Sequence, residues 1–295
     1  MARKYKGIDQ LSTRDKVVVG LMVVVPTALV LWLVWVPAIG SVLLSFTNWD
    51  GIGPLSGIKS VGFKNYVDIA TIYPPFWPAI QHNLIWLAVM FFIATPLGMF
   101  LAVLIDKGVR GTRFYQTSIY LPVVLSLALV GFIWQLIYSR DQGLLNAITG
   151  GTTDWYGDPS VNLWAVLVAA TWRHSGYIML LYLAGLKGVD PSLREAAKVD
   201  GATDRQTFFQ VVFPVMRPIN LIVLVVTFIE SLRAFDLVWV INRGRNGLEL
   251  ISTLVTQNVV GEASRIGFGS ALATIMLAIS SVLVVGYLRI VMKEE

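Results

Sequence analysis

The sequence contains no cysteine and only two histidines, His82 and His174. The first absence excludes disulfides, thiolate metal sites and cysteine nucleophiles, and the second argues against a histidine metal cluster. Charged residues make up only 14% of the chain, about half the share of a soluble domain. The Gly-x-x-x-x-Gly-Lys-Ser/Thr, His-Glu-x-x-His and Gly-x-Ser-x-Gly motifs are also missing, so we expect no enzyme activity and no cofactor on this chain.

What the sequence has in abundance is apolar residues, at 56% of the chain with a mean hydropathy of +0.69. They lie in long runs, and a membrane-spanning helix needs about 20 of them. The sequence therefore predicts an all-α integral membrane protein with six transmembrane helices, at about 17–46, 83–105, 115–138, 162–186, 218–241 and 267–290.

The polar segments divide the chain around these helices. We predict an N-terminal tail at 1–16, an external loop at 47–82, a five-helix core at 83–290 and a C-terminal tail at 291–295. A cleaved signal peptide ending near Ala38-Ile39-Gly40 is the competing interpretation of the first apolar run. That run exceeds the roughly 7–15 residues of a signal core, which favours a membrane helix.

The formal charge is +5, but the basic residues flank the apolar runs instead of forming one patch, so nucleic acid is not a predicted partner. With six spans both termini lie on one side, and 15 of the 23 Lys and Arg residues are on that side against 6 on the other. The positive-inside rule then places both termini and the loop 187–217 in the cytoplasm.

The loop 187–217 is too long for a simple helix connector and has helix signals of its own. Asp190 can cap a first helix, Gly201 breaks it, and Thr203 with Gln206 predicts a capping box for a second. We expect two short helices that form an elbow on the membrane surface. Small side chains at Ala196 and Ala197 would let another protein pack closely, and a connector that only lies on lipid is the alternative. The second helix is predicted to carry Phe208, Phe209 and Val212 on one side and to end at Pro214.

Two predicted spans carry charge, which is costly in a bilayer. Arg173 and His174 fall in the fourth span, and Glu230, Arg233 and Asp236 fall in the fifth. At about 100° per helical residue, Arg233 would lie between the two carboxylates, and we expect all three side chains to face inward. Such a group either fixes helix packing as an ion pair or lines a polar pathway. Neighbouring aromatic residues suit the apolar faces of sugars and favour the pathway: Trp172, Phe235 and Trp239.

The loop sequence resembles the EAA loop of binding-protein-dependent ABC importer permeases. The matching positions are Glu195, Ala196, Ala197, Asp200, Gly201, Ala202, Phe209, Pro214 and Pro218. Three further segments are similar to sugar-type permeases: 61–66 with Phe76-Trp77 and Asn83, the pair Phe235-Asp236, and 267–271. The resemblance implies a type I ABC importer permease fold in a prokaryotic inner membrane. It also implies that the loop is a cytoplasmic coupling helix that docks in a cleft of an ATPase subunit.

The same resemblance implies the partners. They are a second permease that forms a heterodimer with this chain, two cytoplasmic ATPase subunits that hold ATP and Mg²⁺, an external solute-binding protein, and membrane lipid. The implied substrate is a di- or oligosaccharide, with a polyol or glycerol phosphate as alternatives. The chain departs from the family at 242–247, where a Thr-Gly-Gly-Gly-Pro-like turn is usual. Arg243 and Arg245 stand there, either as solvated rim charges or as contacts for an anionic group.

Two other functions remain open at this stage. A secondary transporter driven by protons or sodium would use Glu230 and Asp236, and inverted repeats would support it. The sequence contains no such repeat that we can detect. A membrane anchor or receptor without transport is the second alternative.

Overall fold

We describe the protein from a computed structural model that covers residues 12–292 apart from 53, 109, 262 and 263. Within that part of the chain the regular structure is helical, and the only β-type pairing is an isolated bridge between Thr47 and Ser60. The α-helices are α1 Thr13–Val30, α2 Val36–Leu44, α3 Lys64–Thr71, α4 Phe76–Val89, α5 Thr95–Asp106, α6 Thr112–Val124, α7 Leu127–Ile137, α8 Leu144–Thr149, α9 Asn162–Gly188, α10 Pro191–Val199, α11 Asp204–Gln206, α12 Phe213–Val215, α13 Arg217–Leu232, α14 Asp236–Asn242, α15 Ile251–Val259 and α16 Ile266–Met292.

Short π-helical turns join several of these elements without ending the helix. Leu31–Trp35 connects α1 to α2, Met90–Ala94 connects α4 to α5, and Thr207–Val212 connects α11 to α12. A 3₁₀ turn lies at Leu55–Gly57. Because each π turn adds a residue to the local repeat, it shifts the helix face that follows it.

The first helix is an arm that projects from the rest of the bundle. Ser12 caps it, since its hydroxyl accepts a hydrogen bond from the Asp15 backbone N–H at 3.2 Å. No residue of α1 is buried within the chain. The arm joins the rest of the bundle through α2, which packs against α16. Gly267 allows this contact, because its backbone N–H donates to Trp49 at 2.8 Å where a larger residue would strike the Thr47 carbonyl.

Three helices are long and apolar enough to cross a membrane: Thr13–Leu44, Phe76–Asp106 and Ile266–Gly286. Two bent helix pairs raise the number to five if each pair is one span. Within the described residues the predicted six spans are therefore not confirmed. The predicted fourth span matches α9, whose 27 residues reach about 40 Å, but it carries Arg173 and His174 at its centre.

The predicted span 115–138 is not one straight helix. The axes of α6 and α7 meet at 103°. Leu125 is extended between them, and the Ser126 side chain starts a new helix by accepting the Leu129 N–H at 3.2 Å. A local Ser cap therefore ends a run that is apolar throughout, and hydropathy alone does not detect it.

The core consists of three apolar clusters, and one of them joins the bundle to the loop 187–217. α5 and α9 pack along each other there, with Gly98 directly against Ile178. Val212 and Met216 from the loop are buried in the same cluster. The other two clusters lie around α7, α9 and α14, and around α3, α15 and α16.

Candidate functional site: the elbow and the helix break

The elbow, residues 190–216, is built by local capping as the sequence predicts. The Asp190 carboxylate accepts the Ser192 backbone N–H at 2.9 Å and starts α10. That bond, with the Ser192 hydroxyl, holds the pKa of Asp190 below its usual range. Thr203 and Gln206 form the predicted capping box, in which Thr203 N–H donates to Gln206 Oε1 at 2.9 Å and Gln206 N–H to Thr203 Oγ1 at 3.3 Å.

Between the two helices the chain makes a Schellman turn. Gly201 has a φ of +78°, and its N–H donates to the Lys198 carbonyl at 3.1 Å. Ala202 N–H reaches back to the Ala197 carbonyl at 2.9 Å. A left-handed residue is required at this position and glycine takes it at the lowest cost, which confirms the predicted helix end.

The predicted coupling residues do not all face the same way. Glu195, Ala196, Asp200 and Gly201 are exposed, and Ala202 is half-buried. Ala197 is 7% exposed and packs inside its own chain, so only Ala196 of the small pair is accessible to a partner.

Sequence reasoning missed Val199 on this face. Its side chain is 87% exposed although it is apolar. The signal was available, because Val199 lies three residues after Ala196 and therefore on the same side of α10.

The second half of the elbow corrects one prediction. Phe208, Phe209 and Val212 line one cavity together, but Val212 is buried, Phe208 is half-buried and Phe209 is 52% exposed. The π turn Thr207–Val212 changes the spacing that a regular helix would give. The chain then bends by 77° before α13, at Met216 and not at the predicted Pro214.

Buried and exposed ion pairs hold the elbow against the bundle. The Asp106 carboxylate, 9% exposed at the end of α5, accepts Arg194 at 2.8 Å and Lys187 at 2.9 Å. Lys107 donates to Asp204 at 2.8 Å. Sequence reasoning missed Asp106, and an acidic residue at the end of an otherwise uncharged span was the available signal.

The second predicted site is interrupted by a helix break at residues 233–235. α13 ends at Leu232, and Phe235 has a non-helical backbone, with a φ of −148° and a ψ of −63°, before α14 begins. The 100° spacing therefore does not connect Arg233 to Asp236. The predicted ion pair is wrong, since Arg233 lies within 4.0 Å of neither carboxylate among the described residues and all three side chains are exposed.

The break instead lies between two cavities. One is 60 Å³ and brings together the charged residues of two helices: Arg173, His174, Glu230, Arg233 and Asp236. The other is an open groove of 560 Å³ along α15 and α16, where Arg233, Phe235 and Asp236 also contribute. The charged residues thus line concave surfaces whose remaining lining is largely apolar.

The aromatic residues divide between different places. Phe235 stacks on Trp239 at 5.2 Å and 22°. Trp239 lines a further cavity of 610 Å³ together with Arg243, Arg245 and Arg265. Trp172 packs edge-on against Trp134 at 5.7 Å, and the structure does not bring it to the other pathway residues.

Next to the break, His174 forms a buried polar chain. Its Nε2 lies 3.1 Å from Thr227 Oγ1, which lies 3.2 Å from Thr95 Oγ1. Thr95 follows the π turn of the second span, and both its backbone N–H and its hydroxyl donate to the Met90 carbonyl, the hydroxyl at 2.9 Å. The packing of three helices explains this series of hydrogen bonds. Among the described residues, no group of three or more His, Cys, Asp or Glu side chains could hold a metal ion.

Comparison with known proteins identifies the relatives of the chain. Residues 94–293 match the model of the family described as binding-protein-dependent transport system inner membrane component. A probable ABC transporter permease protein of Pyrococcus horikoshii is 30% identical over 86% of this chain and 89% of its own length. The xylose/arabinose import permease protein XacH of Haloferax volcanii is 31% identical over 79% of this chain and 75% of its own.

A solved structure has the same fold. It belongs to a bacterial ABC transporter that imports the acidic polysaccharide alginate, and it superposes with a TM-score of 0.80 at 20% identity. The match covers 94% of this chain and 95% of that one, so the bent helices and the elbow belong to a known architecture.

Proposed function

Because this chain belongs to the family of inner membrane components of binding-protein-dependent transport systems, we propose that it forms one half of the transmembrane pathway of a sugar importer. The chain is a non-catalytic ABC importer permease, and ATP is hydrolysed on partner subunits. We propose that the other half is a related second permease, that two ATPase subunits bind below, and that an external binding protein delivers the substrate.

The proposed topology has six spans with both termini in the cytoplasm of a prokaryotic cell. Its support is the excess of basic residues on the terminal side. In this topology α9 is the sixth span, in addition to the three long helices and the two bent pairs. The pair α6 and α7 together forms one broken span. The arm Thr13–Trp35, with no buried residue, would contact lipid and the second permease.

The observation that carries the coupling role is the two-sided elbow. Its inner side is fixed to the bundle by Val212, Met216 and the Asp106 ion pairs. Its outer side presents Glu195, Ala196, Val199 and Asp200. A part that is rigidly attached on one side and free on the other can transmit a push from an ATPase cleft to the helices as a rigid-body motion.

The substrate is proposed to pass along the groove at the break. Arg233 and Asp236 offer charged hydrogen-bond partners, and Phe235, which stacks on Trp239, offers an aromatic ring. This combination suits a sugar, and the relative XacH is a xylose/arabinose permease by its name. A di- or oligosaccharide is our first choice, and a polyol or glycerol phosphate the second.

An ion-coupled mechanism through Glu230 and Asp236 has no support from the comparisons. The two carboxylates are exposed at a helix break and form no ion pair within the described part of the chain. We therefore retain the ATP-driven mechanism alone.

Uptake of labelled saccharides by cells with and without this chain tests the proposal. Uptake should require the chain and an intact ATPase partner, and it should continue when the proton gradient is collapsed while ATP is maintained. Uptake that survives an inactive ATPase but stops with the gradient would refute it. Uptake that is unchanged when the chain is deleted would refute any transport role.

A further inference from the structure

The largest cavity described lies where the second span meets the elbow. It has a volume of 640 Å³ and we name it the elbow cavity. Its lining comes from the end of α5, the end of α9, and both halves of the elbow: Met99, Phe100, Val103, Asp106, Lys107, Leu186, Arg194, Lys198, Asp204, Arg205, Thr207, Phe208, Phe209 and Val212. The proposed coupling mechanism does not explain this opening.

One wall of the elbow cavity is apolar and belongs to the membrane span. Met99, Phe100 and Val103 lie on adjoining positions of α5, and Phe208 faces them from the elbow. Phe100 is 58% exposed, so the wall opens outward and is not filled by this chain. An exposed aromatic residue near the end of an apolar span suits contact with lipid acyl chains close to the headgroups.

The remaining part of the lining, the basic wall, is charged. Four cations line it against two carboxylates: Lys107, Arg194, Lys198 and Arg205 against Asp106 and Asp204. Arg194 is paired with Asp106 and Lys107 with Asp204. Within the described residues Lys198 and Arg205 lie within 4.0 Å of no carboxylate, so the cavity retains two positive charges.

The elbow cavity lies at the end of an apolar span, where charged residues begin. The span Phe76–Asp106 has no Asp, Glu, Lys or Arg before its last residue, and the charged residues begin with Asp106 and Lys107. A ligand that fills both walls must combine an anionic head with an apolar tail. A free phosphate compound would satisfy only the basic wall, and an apolar segment of a protein only the other.

We propose that the elbow cavity binds an anionic phospholipid, with its phosphate near Lys198 and Arg205 and its acyl chains along Met99, Phe100 and Val103. Basic pockets between helices on the cytoplasmic side of a membrane are suited to such head groups. The lipid would link α5 to the elbow, as the Lys107–Asp204 ion pair does. Only the choice of the cytoplasmic leaflet rests on the topology in the proposed function.

Native mass spectrometry of the purified full-length chain with phosphatidylglycerol and with phosphatidylcholine tests the charge requirement. Each basic residue near an anionic lipid contributes about fivefold in affinity, so Lys198→Gln with Arg205→Gln should weaken phosphatidylglycerol binding about 25-fold. The matched control Arg110→Gln with Arg113→Gln removes two exposed basic residues outside the cavity and should leave binding unchanged. Lys198→Arg with Arg205→Lys should retain binding, which separates a lost charge from a misfolded variant.

The apolar wall needs a second experiment, with inorganic phosphate as the soluble probe. Phe100→Ala should weaken phosphatidylglycerol binding about tenfold, because it removes a large part of the apolar wall, and should not alter the binding of inorganic phosphate. Equal binding of phosphatidylcholine, or an equal loss in the Arg110 and Arg113 control, would overturn the proposal. So would a site that binds the soluble phosphate as tightly as the lipid and ignores Phe100→Ala.

A third outcome concerns the assembled transporter. If phosphatidylglycerol binds the single chain but is absent when the ATPase subunits are attached, a partner segment fills the cavity and the lipid proposal fails. None of these measurements uses uptake, so a failed lipid site would leave the transport proposal standing. A failed transport assay would likewise leave the lipid result intact.

Discussion

The elbow and the helix break treat their charges in opposite ways. Where the elbow meets the bundle, Asp106 forms ion pairs with two cations and Asp204 with a third, and a Schellman turn closes the bend. At the break, Glu230, Arg233 and Asp236 line cavities and none of them forms an ion pair in the described part of the chain. Paired charges make a part rigid enough to transmit force, whereas unpaired charges at a cavity remain free to meet a substrate.

The largest effect is expected where the elbow bends. Gly201→Pro imposes a φ near −65° where the chain has +78°, and it removes the N–H that bonds Lys198. The cost of about 3 kcal/mol or more should distort the elbow and abolish uptake and ATPase attachment, while the chain still inserts in the membrane. Co-purification of the ATPase subunits and labelled-substrate uptake measure the result.

Asparagine at the same position provides the control. It tolerates the left-handed conformation better than other residues, so Gly201→Asn should retain most of the uptake. Normal uptake by Gly201→Pro would show that the bend is not needed for coupling.

The next effect concerns the ion pairs between the bundle and the elbow. Asp106→Asn leaves Arg194 and Lys187 without their carboxylate, and the side chain is nearly buried. We expect a loss of about 1–3 kcal/mol in the free energy of unfolding, measured as a lower thermal midpoint in detergent. Lys64→Gln is the control, because it breaks an exposed pair on α3 that should contribute less than about 0.5 kcal/mol. Equal losses in both variants would contradict the comparison.

A smaller effect is expected at the start of the second elbow helix. Thr203→Ala removes the hydroxyl that accepts the Gln206 N–H and should cost about 1 kcal/mol. Hydrogen exchange of the Gln206 and Thr207 amides should become faster, with the core helices unchanged. Gln210→Ala, an exposed change in the same segment, should leave these amides as they are.

The two regions also differ in what the sequence could predict. The elbow depends on contacts between residues two to five positions apart, so Asp190, Gly201, Thr203 and Gln206 were sufficient to place both helices. The position of Asp106 against Arg194 depends on helices 88 residues apart in the chain, and no local pattern reports it.

The break shows the other limit of prediction. The sequence predicts a continuous helix through Arg233, because every neighbouring residue is compatible with a helix. The structure breaks the helix there, and Ser252, 18 residues further along the chain, donates its hydroxyl to the Ala234 carbonyl at 2.5 Å. The apolar runs predicted membrane helices, but not the bend at Ser126 or the π turns.

The smallest effect on stability is expected at Arg233 itself, and it gives the sharpest contrast with Asp106. Because Arg233 is exposed and forms no ion pair among the described residues, Arg233→Ala should change the free energy of unfolding by no more than about 0.5 kcal/mol, with a correspondingly small shift of the thermal midpoint. Uptake should nevertheless fall, since the guanidinium lines the groove proposed for the substrate. Arg140→Ala, exposed in the 138–143 loop, should alter neither quantity. A fall in the thermal midpoint as large as that of Asp106→Asn would mean that Arg233 forms an ion pair in the assembled protein. The charges of both regions would then be paired, and the regions would differ only in which residues form the pairs.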